Sequence, residues 1–324
     1  TIISSMTFFQ KNVKAFLGGV VTLALVVVGS YLLFAEDTPP TTNTPSTRSD
    51  SIVSHYKVQV DTENVVEDTS ISLGFNNAEQ VVEDTTGATN IIWVTNGDEL
   101  QFVVRSEQGE IVSTLTVAEG QFSLPALART DDLVAVAAGK RTGNVKSIQA
   151  SVSTDGGRSF NEMSTIGSGV GVSLAASDGK IIAVWHDDTD PTASKILLSQ
   201  YSDGTWSSPT QVDKSDAAPV WAAVAIQGED IYVTWRDDRN GDYSVWLRRY
   251  TNGVWQDEQN LTPTLSGDPD ICVEGDYVSV AHHGQRKITL LQSTDGGATF
   301  AKGIAIGQGY FAHISCTSKV TAVA

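Results

Sequence analysis

Ser153-Thr-Asp155-Gly-Gly157-Arg-Ser-Phe160 returns almost letter for letter as Ser293-Thr-Asp295-Gly-Gly297-Ala-Thr-Phe300. Such a return marks an internal repeat. Both copies follow an alternating run, Ser147 to Val152 and Ile288 to Gln292, and both precede another short apolar segment, so each reads as a hairpin turn between strands. In that turn the aspartate can accept from backbone amides, the glycines can take positive φ, and the phenylalanine can tuck back between sheets. Tyr201-Ser-Asp203-Gly-Thr-Trp206 and Tyr250-Thr-Asn252-Gly-Val-Trp255 keep a polar-Gly-x-aromatic turn after a strand and read as eroded members of one series.

The spacing Ser-x-Asp-x-Gly-x-x-aromatic resembles the Asp box, also called the bacterial neuraminidase repeat, of sialidases and other β-propellers. Ser153, Asp155, Gly157 and Phe160 carry it once, and Ser293, Asp295, Gly297 and Phe300 carry it again. The resemblance covers residues from about Gly87 to Ala324 and implies an all-β, sialidase-like propeller.

Strand spacing leads to the same architecture. One unit runs Ala218 to Ala225, Ile231 to Trp235, Tyr243 to Tyr250 and Trp255 to Leu261, which reads as four strands. The unit before it repeats this as Val170 to Ala176, Ile181 to Trp185, Lys195 to Tyr201 and Trp206 to Val212. The ends of the second strands fall at Trp93, Ala137, Trp185, Trp235 and Ala281, separated by the ~40–50 residues of a four-stranded blade. Five blades are thus expected, with a sixth begun by Phe311 to Cys316 and Val320 to Ala324. Because an open ring leaves unpaired strand edges, either the segment from Ser51 to Phe75 supplies the missing strands or the sequence is part of a longer one; the expectation here is a truncated sixth blade.

The formal charge is −17, from 21 Lys+Arg against 38 Asp+Glu, which argues against a nucleic-acid or anionic-membrane surface role. The two cysteines show no metal-binding spacing, and the five histidines form no metalloenzyme helix signature. No cofactor or metal is expected; the Asp-rich loops offer oxygen ligands of the kind calcium takes, but without EF-hand spacing.

Ala15 to Ala35 carries no charged residue and matches the ~20 residues of a membrane-crossing helix. Lys11 and Lys14 precede it and Glu36 and Asp37 follow, so the positive-inside bias places the N-terminus in the cytoplasm and the bulk of the chain outside. The expected organisation is a cytoplasmic tail over 1–14, a signal anchor over 15–35, a Thr/Pro/Ser-rich linker over 36–50 and an extracytoplasmic propeller over 51–324, at the cell surface or in the periplasm. A cleaved signal peptide is the rival, with a shorter apolar region. Outside the cytoplasm disulfides persist. Cys272 and Cys316 occupy nearly equivalent places on neighbouring first strands, so a bridge and a pair of buried thiols are the alternatives.

In a four-stranded blade the turns one-to-two and three-to-four lie on one face, and the two-to-three loops lie on the other. Asp155 and Asp295 are therefore expected to be structural, away from the ligand face. The two-to-three loops carry the polar residues. Placed around one concavity, Arg141, Arg236, Arg239 and Arg286 can hold a carboxylate or sulfate through forked donors while Asp187 and Asp237 accept from hydroxyls; the plainer reading of these charges is turns that satisfy themselves. Trp185 and Trp235 read as core.

The family resemblance implies a retaining glycosidase with three carboxylate-binding arginines and a Tyr nucleophile. Tyr310 is the tyrosine whose place resembles the nucleophile's. However, Phe311-Ala-His313 does not match the family's Tyr-Ser, and the family's Arg-Ile-Pro motif is absent. The reading is thus a membrane-anchored module that binds glycan or a cell-surface protein, not nucleic acid, with an exo-α-sialidase as the alternative.

Overall fold

The computed structural model describes residues 31–35, 56–60, 79–95, 98–190, 192–263, 265–316 and 321–323. The expected cytoplasmic tail, linker and most of the anchor lie outside them. The described residues form six sheets and no helix. The first sheet pairs Val81–Glu83, Thr89–Val94, Glu99–Arg105 and Ile111–Glu119; the second, Phe122–Arg129, Val134–Thr142, Val145–Ser153 and Ser164–Ser168. Each is an antiparallel meander. The fifth sheet, Gly267–Glu274, Tyr277–Gly284, Lys287–Ser293 and Ile304–Gln308, has the same order.

The third and fourth sheets depart from the four-strand expectation. Their first three strands are Val170–Ser177, Lys180–Asp187 and Lys195–Ser202, and Val220–Gln227, Asp230–Asp237 and Ser244–Thr251. The expected fourth strand is split in each, into Thr205–Trp206 with Thr210–Gln211 and Val254–Trp255 with Gln259–Asn260, both pieces pairing with the third strand. In the fourth sheet the break has a purpose: it brings Glu258 under Arg239, whose Nη1 it accepts.

The sixth sheet is composite, in the order Tyr56–Val60, Tyr31–Ala35, Thr321–Val323, Ile314–Cys316. The missing strands are thus drawn from the N-terminal side, one of them within the 51–75 segment. The other uses the last five residues of the expected anchor, which are extended here rather than helical. Tyr, Leu and Phe suit a strand as well as a span, and Thr321–Val323 offers an open edge for them to pair with. Among the described residues, no helix is long and apolar enough to cross a membrane.

The second strands are the most buried. Ile181 to His186 is continuously buried, as expected for a central strand covered on both sides by neighbouring sheets. The first strands of the second to sixth sheets pack side by side in sequence order, and the first sheet packs on the second. Val82, Leu127, Ser173, Val224, Ile271 and Ile314, one from each sheet, line a common cavity of about 200 Å³. The layout is of propeller type.

The two repeated turns join third to fourth strands of the second and fifth sheets. Asp155 accepts from Ser159 Oγ at 2.7 Å, Ser153 Oγ at 2.7 Å and the amides of Arg158 and Ser159 at 2.9 Å. Those donors, Ser159 first, hold its carboxyl well below the usual range. Asp295 is held the same way by Thr299 and Ser293. Gly156 and Gly296 donate to Asp132 and Asp276, both at 2.9 Å, which ties each turn to the one-to-two turn of its own sheet. Phe160 meets Phe102 of the first sheet at 5.0 Å, edge on, and Phe300 packs into the core between the fourth and fifth.

Gly157 has φ 88° and a Cβ there would sit 2.9 Å from the Phe102 ring, whereas Gly156, φ 75°, faces open space. Alanine pays the same left-handed backbone penalty at both sites, so the difference isolates the clash. Gly157→Ala is expected to destabilise by about 1–3 kcal/mol more than Gly156→Ala in urea unfolding. Equal costs would mean that the Phe102 ring yields to the added methyl and that the close approach at Gly157 is not required.

Candidate ligand-binding face

A register shift recurs near the start of the first strand in the second to fifth sheets, between Ser123 and Ala126, Val170 and Ser173, Val220 and Ala223, and Gly267 and Asp270. Each shift is a bulge whose leading residue has positive φ: Leu124 at 52°, Gly171 at 68°, Trp221 at 55° and Asp268 at 40°. Phe311, at 57°, shows no register shift but stands three residues before the cavity-lining Ile314, as Leu124, Gly171, Trp221 and Asp268 stand before Leu127, Leu174, Val224 and Ile271. Such bulges re-aim side chains. These five positions ring the face on which the two-to-three loops lie.

Around Asp268 the groups converge. Arg236 Nη1 lies 3.0 Å from Asp268 Oδ1, and His283 Nδ1 lies 3.9 Å from Asp268 Oδ2. The Arg236 guanidinium stacks 4.7 Å over Tyr243. The His283 ring meets Tyr310 at 5.2 Å and Phe311 at 5.8 Å, both edge on. Arg286 Nε donates to the Tyr310 hydroxyl at 3.0 Å. Gly267 makes room: a Cβ there would lie 3.2 Å from His283 and 3.5 Å from Arg236. Burial holds His283 below its ordinary pKa against the pull of Asp268, so its ring is neutral at physiological pH.

The polar atoms here are incompletely satisfied. Arg236 Nε, Asp268 Oδ1 and His283 Nδ1 are buried without a hydrogen-bond partner, although the charges of Arg236 and Asp268 are paired. Native structures carry few such atoms, and each calls for an occupant or a function.

The arginines and aspartates singled out from the loops have different fates. Arg236 and Arg286 join the cluster, with Tyr310 between Arg286 and His283. Arg239 and Asp237 do not: Arg239 donates to Asp237 Oδ2 through Nε at 2.7 Å, reaches Glu258, and lies 4.0 Å over Trp246. Asp237 is fully buried in this pair; despite desolvation, the Arg239 hydrogen bonds bring its carboxyl below the usual range. Asp187 accepts from the Thr189 amide at 3.0 Å within its own turn. Arg141 is exposed and donates to the Gly143 carbonyl at 3.0 Å. Trp185 and Trp235 are fully buried core. Sequence reasoning missed Trp221, Tyr243, Asp268 and His283. The Pro after Leu124 and after Asp268, with Gly at 171, was the available signal of irregular backbone.

Beside this cluster, His186 meets the Trp221 ring edge on at 5.3 Å, flanked by the Lys146–Asp188 ion pair. Burial pushes His186 down from 6.5 to about 4, with Asp188 pulling against it. A folded pKa below the unfolded one means that protonation favours unfolding. The stabilisation is present above pH 6.5 and is lost as pH falls through 6.5 towards 4, by on the order of 3 kcal/mol. Glu79, which burial pushes up to about 7, acts in the opposite direction: its contribution is full below 4.5 and is lost as pH rises through 7. His186→Gln is expected to flatten the acid limb of stability against pH while leaving the limb near pH 7 in place; an unchanged acid limb would exclude His186 as its source.

Cys272 and Cys316 form a disulfide with Cα atoms 5.6 Å apart, joining the first strands of the fifth and sixth sheets. No group of three or more His, Cys, Asp or Glu among the described residues could hold a metal ion.

No protein-family model matches the chain, and no curated protein matches it. Among solved structures the chain is similar to a lectin from Burkholderia pseudomallei, at 12% identity and a TM-score of 0.56 over 72% of this chain and 73% of that one. It is also similar to an α-L-arabinofuranosidase from Fusarium graminearum, at 14% identity and a TM-score of 0.55 over 78% of this chain and 96% of that one. A Trypanosoma rangeli sialidase matches at 11% identity and a TM-score of 0.42, over 61% of this chain and 40% of that one. At these identities the likeness is one of fold: the chain is an all-β protein whose structural neighbours are of propeller type.

Proposed function

We propose that this chain is an extracytoplasmic, membrane-anchored propeller of six blades that binds an acidic carbohydrate on the face where Arg236, His283, Arg286 and Tyr310 meet. The observation that carries the reading is the pair of buried nitrogens left unsatisfied, Arg236 Nε and His283 Nδ1, beside the exposed rings of Tyr243 and Tyr310. Sugars present hydroxyls for such atoms and C–H faces for such rings, and a carboxylate or sulfate suits the forked donors of arginine. The lectin and arabinofuranosidase neighbours support a carbohydrate role in general.

Binding is favoured over hydrolysis by the partner of Tyr310. A tyrosine nucleophile needs a base, and the group at its hydroxyl is Arg286, a cation that takes no proton. The full chain in detergent is expected to bind α2,3-sialyllactose in calorimetry and to release no sialic acid from a fluorogenic sialoside. Arg286→Ala should weaken binding at least tenfold, and Arg141→Ala should leave it unchanged. Equal loss in both variants would place the site elsewhere; turnover abolished by Tyr310→Phe would establish the exo-sialidase instead.

Export is supported by the apolar run after Lys11 and Lys14 and by the Cys272–Cys316 disulfide. Residues 31–35 serve as a strand here, so the sheet and an anchor over all of 15–35 compete for the same five residues. Membrane association resistant to alkaline extraction is the outcome expected of the anchor; recovery of the whole chain in the soluble fraction would remove it.

A further inference from the structure

These five positions, four of them at bulges, share a left-handed φ and carry five different side chains, Leu124, Gly171, Trp221, Asp268 and Phe311. A left-handed φ is natural for glycine and is a true outlier for a residue as bulky as tryptophan. The fold therefore sets the backbone, and the side chain is not what makes it possible. Strain of this kind gathers at functional sites. Two of the five, Asp268 and Phe311, already belong to the cluster around His283.

Trp221 is the other large bulge residue, one sheet further round. Its surroundings are built closely. A Cβ at Gly171 would lie 3.0 Å from His186 Cε1 and 3.3 Å from Trp221 Cζ3, so the three residues close on one another and fix the indole. Asp188 and Lys146 stand beside His186, and Asp188 Oδ1 is buried with no hydrogen-bond partner. His186 is within electrostatic reach of Arg236, so the Trp221 corner and the Arg236 cluster are neighbours.

We infer that Trp221, with Asp188 and Lys146, forms a second carbohydrate subsite, in which the indole stacks on a neutral sugar ring and Asp188 accepts from its hydroxyls, so that the ligand is an oligosaccharide with its acidic unit at Arg286. This rests on the carbohydrate-binding reading and extends it from one sugar to a chain. An aromatic ring beside one unpaired carboxylate oxygen and an ammonium shared with the same Asp188 matches the mixed apolar and hydroxyl surface of a neutral hexose.

The strained φ supplies a clean test. Trp221→Gly removes the platform while giving the bulge the residue that its counterpart Gly171 already has, so thermal unfolding of the full chain is expected to change little. Calorimetry compares free N-acetylneuraminic acid with α2,3-sialyllactose, whose neutral units follow the acidic one. The wild type should bind the trisaccharide about tenfold more tightly than the free acid, and Trp221→Gly should lose that advantage while keeping its affinity for the acid. If Trp221→Gly weakens both probes equally, Trp221 belongs to the acidic site and the second subsite is refuted. If the wild type binds both probes equally, the chain-binding inference fails alone. Binding of neither probe would remove the carbohydrate reading and this inference with it.

Discussion

Trp185→Ala is expected to cost about 3–5 kcal/mol of stability, at the upper end for a core truncation. The indole is fully buried in the core between the second and third sheets. Its ring lies where a Cβ on Gly167 would approach Cζ2 to 2.3 Å, and its Nε1 donates to the Ser168 carbonyl at 2.8 Å. One side chain thus fills the gap between two sheets and satisfies an outer-strand carbonyl. Trp235 occupies the equivalent place in the fourth sheet and is equally buried, but its Nε1 has no hydrogen-bond partner. Phenylalanine separates these contributions. Trp185→Phe loses area and strands a carbonyl, whereas Trp235→Phe loses area and removes an orphan donor, so the first should cost about 1–2 kcal/mol more than the second. Gly167→Ala should be severe in the wild type and nearly silent in Trp185→Ala, since the truncation opens the space that its methyl needs. Additive costs in that double-mutant cycle would refute the contact.

What could be read from the sequence was whatever a local rule enforces. The repeated turns were legible because Ser153, Asp155, Gly157 and Phe160 each meet a requirement that few other residues meet: a hydroxyl on an amide, a carboxylate on four donors, a positive φ against a ring, and a ring between sheets. The second strands were legible as short, mostly apolar runs ending at Trp93, Ala137, Trp185, Trp235 and Ala281. The ligand face was not. Arg236 and Arg239 stand three positions apart in one loop, yet one faces Asp268 and the other is neutralised by Asp237 and Glu258. That difference depends on where a broken outer strand delivers Glu258, which no periodicity records. The bulge at Trp221 runs against local preference, because Val220 to Ala225 has the composition of a regular strand, and the bend is visible only as the register shift between Val220 and Ala223. Tyr31–Ala35 is a third case: hydropathy fits a span, while pairing with the chain's other end makes a strand.

Removing the disulfide is expected to have an effect of similar size, concentrated at the composite sheet. The bridge closes a loop with a sequence separation of 44, for which the chain-entropy account gives about 4 kcal/mol. Cys272→Ala with Cys316→Ala is the variant of choice, because both positions line the axial cavity and a serine hydroxyl there would add a desolvation cost of its own. For a domain of this size the loss corresponds to a fall in Tm on the order of 10 °C. Its location follows from what else holds the sixth sheet. Ile314–Cys316 is attached to the fifth sheet by the bridge and by Asp270, which accepts the Ile314 amide at 2.9 Å; Thr321–Val323 meets Tyr31 and Leu32 over two register pairs. Without the bridge, Asp270 still clamps this short edge through the Ile314 amide. Amide exchange should therefore accelerate over 314–316 and 321–323 well before the second strands respond. Asp270→Ala, which removes the acceptor, should leave exchange there slow in the bridged protein, and in the double alanine variant it should release the sheet. If the alanine pair unfolds at the wild-type temperature with unchanged exchange in these strands, the bridge does not hold the sheet, and the packing of Ile314 and Ala312 against Ile288 and Leu290 is sufficient by itself.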